Sequence, residues 1–235
     1  MNWLLATAFY FAAAVFLGGM VWRMGTWLLA PVPLKMVLTP APKTRGGVVK
    51  RVSGELVLFR SLFAADRWLW SAAWLFHVSL VLLALGHFGG LVVPELVRTS
   101  LGLTEEQFHS LASVTGGIFG LLALLPLCWL LLRRVITERV RYISNFADYA
   151  ALTLLLLVIV TGNQMRFMGS LDLAQARQFV AGLLQFHPEA LPANATFAVH
   201  LLLVCVLLVY IPFSKLVHLG GILLSPTLNQ RNGAI

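Results

Sequence analysis

Six histidines, His77, His87, His109, His187, His200 and His218, are the residues of this chain best suited to chemistry, and four of them fall in or at the ends of only two long apolar runs. An ionisable group inside a bilayer is costly, so it needs a partner and usually has a role. A lone histidine could simply hydrogen-bond a neighbouring helix. Two pairs on two runs ask for more, because paired imidazoles can hold a metal, relay protons or ligate a haem iron from both faces. Zinc requires three or four convergent nitrogen, sulfur or carboxylate ligands, and neither pair has an acidic residue close to it in its run. A proton relay does not require matched pairs. A bis-histidine haem does, and with no open iron position it suits electron transfer rather than oxygen binding.

The elements that position these histidines follow from composition. Of 235 residues, 59% are apolar and 11% charged, with a mean hydropathy of +0.86. A soluble domain carries about a quarter charged residues, and a disordered chain is poor in hydrophobic ones. A bilayer core needs about 20 mainly apolar residues per helix, and five runs qualify: 3–22, 70–93, 111–132, 149–168 and 197–219. The expected fold is therefore an all-α integral membrane protein, a bundle of five transmembrane helices forming one domain over residues 1–235. The first run has no basic residue before it and Arg23 after it, the reverse of a cleavable signal peptide, so it is expected to stay as an anchor. Cys128 and Cys205 lie inside apolar runs and read as small buried hydrophobes, not as a disulfide or cluster framework.

Basic residues set the orientation. Arg23, Lys35, Lys43, Arg45, Lys50, Arg51, Arg60 and Arg67 lie between the first two runs, Arg133, Arg134, Arg139 and Arg141 between the third and fourth, and Lys215 and Arg231 at the C-terminal end. Only Arg98, Arg166 and Arg177 belong to the other side. This bias places the N-terminus outside and the C-terminus in the cytoplasm. The net charge of +8 is thus a topology signal, and nucleic-acid binding, which needs a soluble basic face, is not expected.

With that topology the second and fifth helices run antiparallel, so His77 faces His218 and His87 faces His200. On a continuous fifth helix the 18-residue separation of His200 and His218 is five turns, which puts both on one face about 27 Å apart. His77 and His87 are 10 residues, about 15 Å, apart. Two sites roughly 20 Å apart along the membrane normal follow, one per leaflet. Gly86 beside His87, with Gly89 and Gly90, gives room for a backbone or a ring edge. Among the connections, prolines 31, 33, 40 and 42 predict an extended strap, and residues 48–63 an amphipathic surface helix. Residues 171–182 predict a short outer helix, and Asn194-Ala195-Thr196 matches a glycosylation sequon too near the membrane to be used.

Several motifs carry a resemblance: Leu75-Phe76-His77, Gly86-His87-Phe88, Leu130-Leu131-Leu132-Arg133-Arg134 with Arg139-Val140-Arg141, Ala147-Asp148, His200-Leu201, and Pro212-Phe213-Ser214-Lys215-Leu216-Val217-His218. From the second run onward the chain resembles the cytochrome b (gamma) subunit of respiratory nitrate reductase. Its N-terminal third, with Met20-Val21-Trp22-Arg23, Pro31-Val32-Pro33, the segment from Leu58 to Phe63 and Trp68-Leu69-Trp70, is more similar to the membrane cytochrome of dissimilatory sulfite-reduction and heterodisulfide-reductase-like complexes. The resemblance implies two b haems, ligated by His77 with His218 and by His87 with His200. It also implies quinone or menaquinone as an exchangeable substrate and a cytoplasmic iron-sulfur subunit as partner, and it is compatible with further membrane or outer-side subunits.

The expected function is a subunit of a quinol/quinone oxidoreductase in the cytoplasmic (inner) membrane. It would relay electrons between the quinone pool and the iron-sulfur partner, without acting itself on a soluble substrate, because the chain has no nucleotide or flavin fingerprint and no cysteine cluster. If quinol is oxidised outside, protons are released there while electrons move inward, which builds membrane potential. His109, near the outer pair, is the candidate catalytic proton acceptor, with an interfacial surface histidine as the plainer alternative; His187 is read as a surface residue. Arg133 and Arg134 are candidates for neutralising haem propionates, against the plainer role of solvated positive-inside charge. The rival functions are a proton-path transporter, disfavoured because inverted repeats and broken helices are missing, and a passive membrane anchor.

Overall fold

The computed structural model describes residues 2–31, 39–168 and 171–225, so Pro33, Lys35 and Arg231 lie outside the described residues. In chain order the helices are α1 (Asn2–Leu29), α2 (Arg45–Leu58), α3 (Arg60–Ala65), α4 (Arg67–His87), α5 (Pro94–Ser100), α6 (Glu105–Ile136), α7 (Glu138–Ile143), α8 (Phe146–Phe167), α9 (Leu173–Leu184), α10 (Ala195–Tyr210) and α11 (His218–Gly221). No strand occurs among the described residues. Five of the helices, α1, α4, α6, α8 and α10, are long and apolar enough to cross a membrane. In lipid a helix is required because each backbone group must find its partner within the segment.

Polar residues fix where the long helices begin. Asp66 accepts the Leu69 N–H at 2.9 Å to start α4, and Asn194 accepts the Phe197 N–H at 3.0 Å to start α10. The asparagine of the apparent sequon is therefore a helix cap. Thr104 with Gln107, and Asn145 with Asp148, form reciprocal capping boxes at the starts of α6 and α8. These caps carry α6 well beyond the predicted third run, from Glu105 to Ile136.

The spanning helices pack in the order α4, α6, α8, α10, α1. One apolar cluster joins Phe76 of α4, Ala123 and Leu127 of α6, and Leu155 and Ile159 of α8. A second joins Ala6 of α1, Ala176, Phe179 and Leu183 of α9, and Phe197 of α10, so α9 caps the bundle at the end where α10 begins. The Tyr10 hydroxyl ties this cap down by donating to the Leu183 carbonyl at 3.0 Å.

Three elements depart from the sequence expectation. The predicted surface helix is two helices, α2 and α3, broken at Phe59, which sits in the left-handed region at φ 48° and ψ 48°. That conformation is costly for a bulky residue. It is held by two indole N–H groups from α4: Trp70 donates to the Leu58 carbonyl at 2.7 Å and Trp74 to the Val57 carbonyl at 2.9 Å. The predicted outer helix is present, displaced to Leu173–Leu184 by the Asp172 cap. The fifth run is not one helix: α10 ends at Tyr210, and Pro212, which has no N–H to donate, opens two short 3-10 turns at Ile211–Phe213 and Lys215–Val217 before α11. His200 and His218 are therefore not five turns apart on one continuous helix face, and the continuous helix that a separation of about 27 Å requires is absent.

Candidate haem-binding seam

Imidazoles of α4 stand opposite imidazoles of α10 and α11, with His77 and His200 partly buried and His87 and His218 exposed. His87 near the end of α4 and His200 in α10 have ring centroids 6.5 Å apart and planes 12° apart. His77 in α4 and His218 at the start of α11 have centroids 5.9 Å apart and planes 76° apart. The structure thus brings together the same partners that the antiparallel argument paired, with the Pro212 break folding His218 back towards α4.

Each imidazole is fixed at Nδ1. His77 donates to the Ala73 carbonyl at 2.7 Å, His87 to the Leu83 carbonyl at 2.7 Å and His218 to the Lys215 carbonyl at 2.9 Å. His200 instead bonds the Thr161 hydroxyl of α8 at 2.9 Å. A carbonyl can only accept, so Nδ1 carries the proton and Nε2 keeps its lone pair for a metal. This is the usual arrangement by which an outer partner orients a histidine ligand.

The donor set can be tested against an iron. Two metal–imidazole bonds of about 2.0 Å, plus the distance from each ring nitrogen to its centroid, put the ring centroids about 6 Å apart. Both pairs match that span. Each pair offers two imidazole nitrogens, a donor set that suits an iron whose other ligands belong to a macrocycle. A Cβ on Gly86 would meet no protein atom within 4 Å, so the room beside His87 is not taken up by a neighbouring helix.

The surroundings of the two pairs differ. The Phe59 ring stands edge-on to His77 at 5.2 Å, and Phe76 does the same at 5.2 Å. The strained break between α2 and α3 is what delivers Phe59 to this position. His218 is tied to the rest of the bundle through Lys215, whose Nζ lies 2.8 Å from Oδ1 of Asp148, a side chain only 5% exposed. Arg134 lies 3.9 Å from the same carboxylate and donates to the Ser144 hydroxyl at 2.8 Å, and Arg133 lies 4.0 Å from Asp66. Both arginines thus sit at the His77 end, partly engaged by the protein, and each keeps further donors in its five-N–H fork.

At the His87 end a π-helical turn, Phe88–Val92, follows α4. Arg177 of α9 donates to the Gly90 carbonyl in that turn at 3.0 Å and to Glu105 of α6 at 3.2 Å. One guanidinium therefore joins the first turn of α6 to the turn that follows α4, and His109 lies one turn into α6. His109 and His187 are both exposed. Cys128 is exposed and Cys205 buried, and both are free thiols.

Sequence reasoning missed Thr161, Phe59 and Arg177, and it read Lys215 and Asp148 without their contact. The available signals were polar residues inside apolar runs, Thr161 in the fourth and Asp148 at its start.

Residues 59–227 match the family model described as nitrate reductase gamma subunit. The chain is 32% identical, over 95% of its length and 78% of the relative, to the Hdr-like menaquinol oxidoreductase cytochrome b-like subunit of Archaeoglobus fulgidus. It is 30% identical, over 95% of its length and 77% of the relative, to the protein of the same description from Archaeoglobus profundus. The nitrate reductase gamma chain of Bacillus subtilis matches at 30% identity over 61% of this chain and 68% of the relative. The Hdr-like relatives thus match more of this chain than the nitrate reductase subunit does. With most of its length matched by the family model and its seam histidines inside that stretch, this chain belongs to the nitrate reductase gamma subunit family.

Proposed function

We propose that the protein is the membrane subunit of a respiratory complex in the cytoplasmic membrane that exchanges electrons with the quinone pool through two b haems and passes them to or from a cytoplasmic iron-sulfur partner. The observation that carries this reading is the two imidazole pairs, each spaced for one iron. The bound haems supply one-electron transfer. His77 with His218, and His87 with His200, would each hold one haem, and two imidazole ligands suit electron transfer rather than oxygen binding. The basic loops place the His77 end in the cytoplasm and the His87 end outside. Arg133 and Arg134 stand where they can meet propionate carboxylates at the cytoplasmic end.

A visible spectrum of the purified complex tests the reading. Sharp reduced b-type bands and two haems per chain are expected, whereas a proton-path transporter or a bare anchor would give none. On the cytoplasmic side, cross-linking through Lys35, Lys43 and Lys50 is expected to capture the iron-sulfur subunit, because the loop bearing α2 and α3 sets Phe59, at the break between them, against His77. Cross-links confined to the loop around His187 would reverse the assigned sides.

Quinol is oxidised beside the outer pair: its two electrons pass one at a time towards the haem that His87 and His200 would hold, and its two protons leave to the outer side, one of them taken by His109. An imidazole nitrogen with a free lone pair can act as a general base towards a quinol hydroxyl. His109→Ala is expected to slow haem reduction by a menaquinol analogue by about a hundredfold while both haems stay bound. Unchanged kinetics in that variant would make His109 a surface residue.

A further inference from the structure

Three of the four seam imidazoles anchor Nδ1 on a backbone carbonyl three or four residues earlier in the chain. His200 is held by a different helix. The Thr161 hydroxyl lies 2.9 Å from its Nδ1, 2.8 Å from the Leu157 carbonyl and 3.0 Å from the Val158 carbonyl. With Nε2 kept free for a metal, Nδ1 carries the proton, so the hydroxyl receives the His200 Nδ1–H on a lone pair and gives its own proton to one of the two carbonyls. The next residue, Gly162, lets the ring lie close: a Cβ there would be 3.4 Å from His200 Cε1. The ring of His200 is thus set by α8 and not by α10. This is the pair whose planes are 12° apart, against 76° in the other.

We infer that Thr161 is a positioning residue that fixes the plane and the donor strength of His200, and thereby gives the His87–His200 haem a spectroscopic signature and potential different from those of the His77–His218 haem. The inference rests on the two-haem reading. Two nearly parallel imidazoles act on one of the iron's two π-type d orbitals and split them, which gives a rhombic low-spin resonance. Nearly perpendicular imidazoles leave those orbitals close in energy, which gives a strongly anisotropic resonance with one large g value. A hydrogen-bonded Nδ1–H also makes the imidazole a stronger donor, and a hydroxyl that itself donates to a carbonyl is a polarised acceptor. A stronger donor favours ferric over ferrous iron and lowers the potential.

The test uses the full complex, with Thr161→Val and Thr161→Ser compared by haem content, electron paramagnetic resonance and redox titration. The unmodified protein is expected to show two haems, one rhombic and one strongly anisotropic. Valine keeps the shape of threonine and lacks only the hydroxyl, so Thr161→Val should move the rhombic signal and raise the potential of that haem alone. Thr161→Ser should restore both. Loss of that haem in the valine variant but not in the serine variant would support the same role. An unchanged signal and potential in Thr161→Val, a change that serine does not restore, or an equal shift of both haems would overturn it. Absence of haem from the unmodified protein would instead sink the two-haem reading, on which the inference depends.

Discussion

Replacing His77 or His218 with alanine is expected to halve the haem content and to remove the same haem in both cases, and replacing His87 or His200 is expected to remove the other one. The spacing is the reason: each pair spans about the distance that one iron with two axial imidazoles requires, 5.9 Å and 6.5 Å between centroids. Loss of one imidazole leaves a single axial bond from the protein and opens the site on that side. The spanning helices pack through α4–α6, α6–α8, α8–α10 and α10–α1, so the bundle does not depend on the lost ring and the second haem should persist. Haem stoichiometry of the four variants, with the surviving resonance identified in each, decides the pairing. If His77→Ala and His200→Ala removed the same haem, the assignment would be wrong.

A second large effect is expected at the Asp148–Lys215 pair. Lys215 binds Asp148 through Nζ at 2.8 Å and accepts the His218 Nδ1–H on its carbonyl, so one residue fastens the post-Pro212 turn and orients the ligand that follows. Removing the lysine leaves a carboxylate that is 5% exposed with only Arg134 at 3.9 Å as a charged partner. Loss of one member of a fully buried pair costs several kcal/mol. Here the lysine is 70% exposed, so the cost is smaller, about 2 kcal/mol. Lys215→Met should therefore release the His77–His218 haem at lower temperature than the other. Asp148→Asn should have a milder effect in the same direction, since an amide oxygen can still cap Asn145 and only the charge is lost. Equal loss of both haems in a thermal titration would point to general unfolding and not to the turn.

The part of the fold legible in sequence is the part a bilayer enforces on each segment separately. Five apolar runs became five spanning helices, because a segment in lipid must satisfy its own backbone whatever its neighbours do. The four buried-run histidines stood out for the same reason, as polar groups that lipid would not tolerate unpaired. Their pairing also survived, although the helical arithmetic behind one half of it failed at Pro212. Antiparallel neighbours oppose early and late residues whether or not the last turns are regular.

What the sequence by itself determined was the spans and the identity of the four imidazoles; the tertiary structure alone decided what orients each of them. Thr161 meets His200 from 39 residues away, and Asp148 meets Lys215 from 67. The left-handed Phe59 is held by tryptophans of the following helix. No local pattern encodes these contacts. In a soluble helix the apolar stripe marks the buried face, but in lipid the outward face is as apolar as the inward one, so periodicity does not say which side of a span meets which neighbour. Close packing and a few interhelical hydrogen bonds make that choice, and they exist only once the helices have assembled.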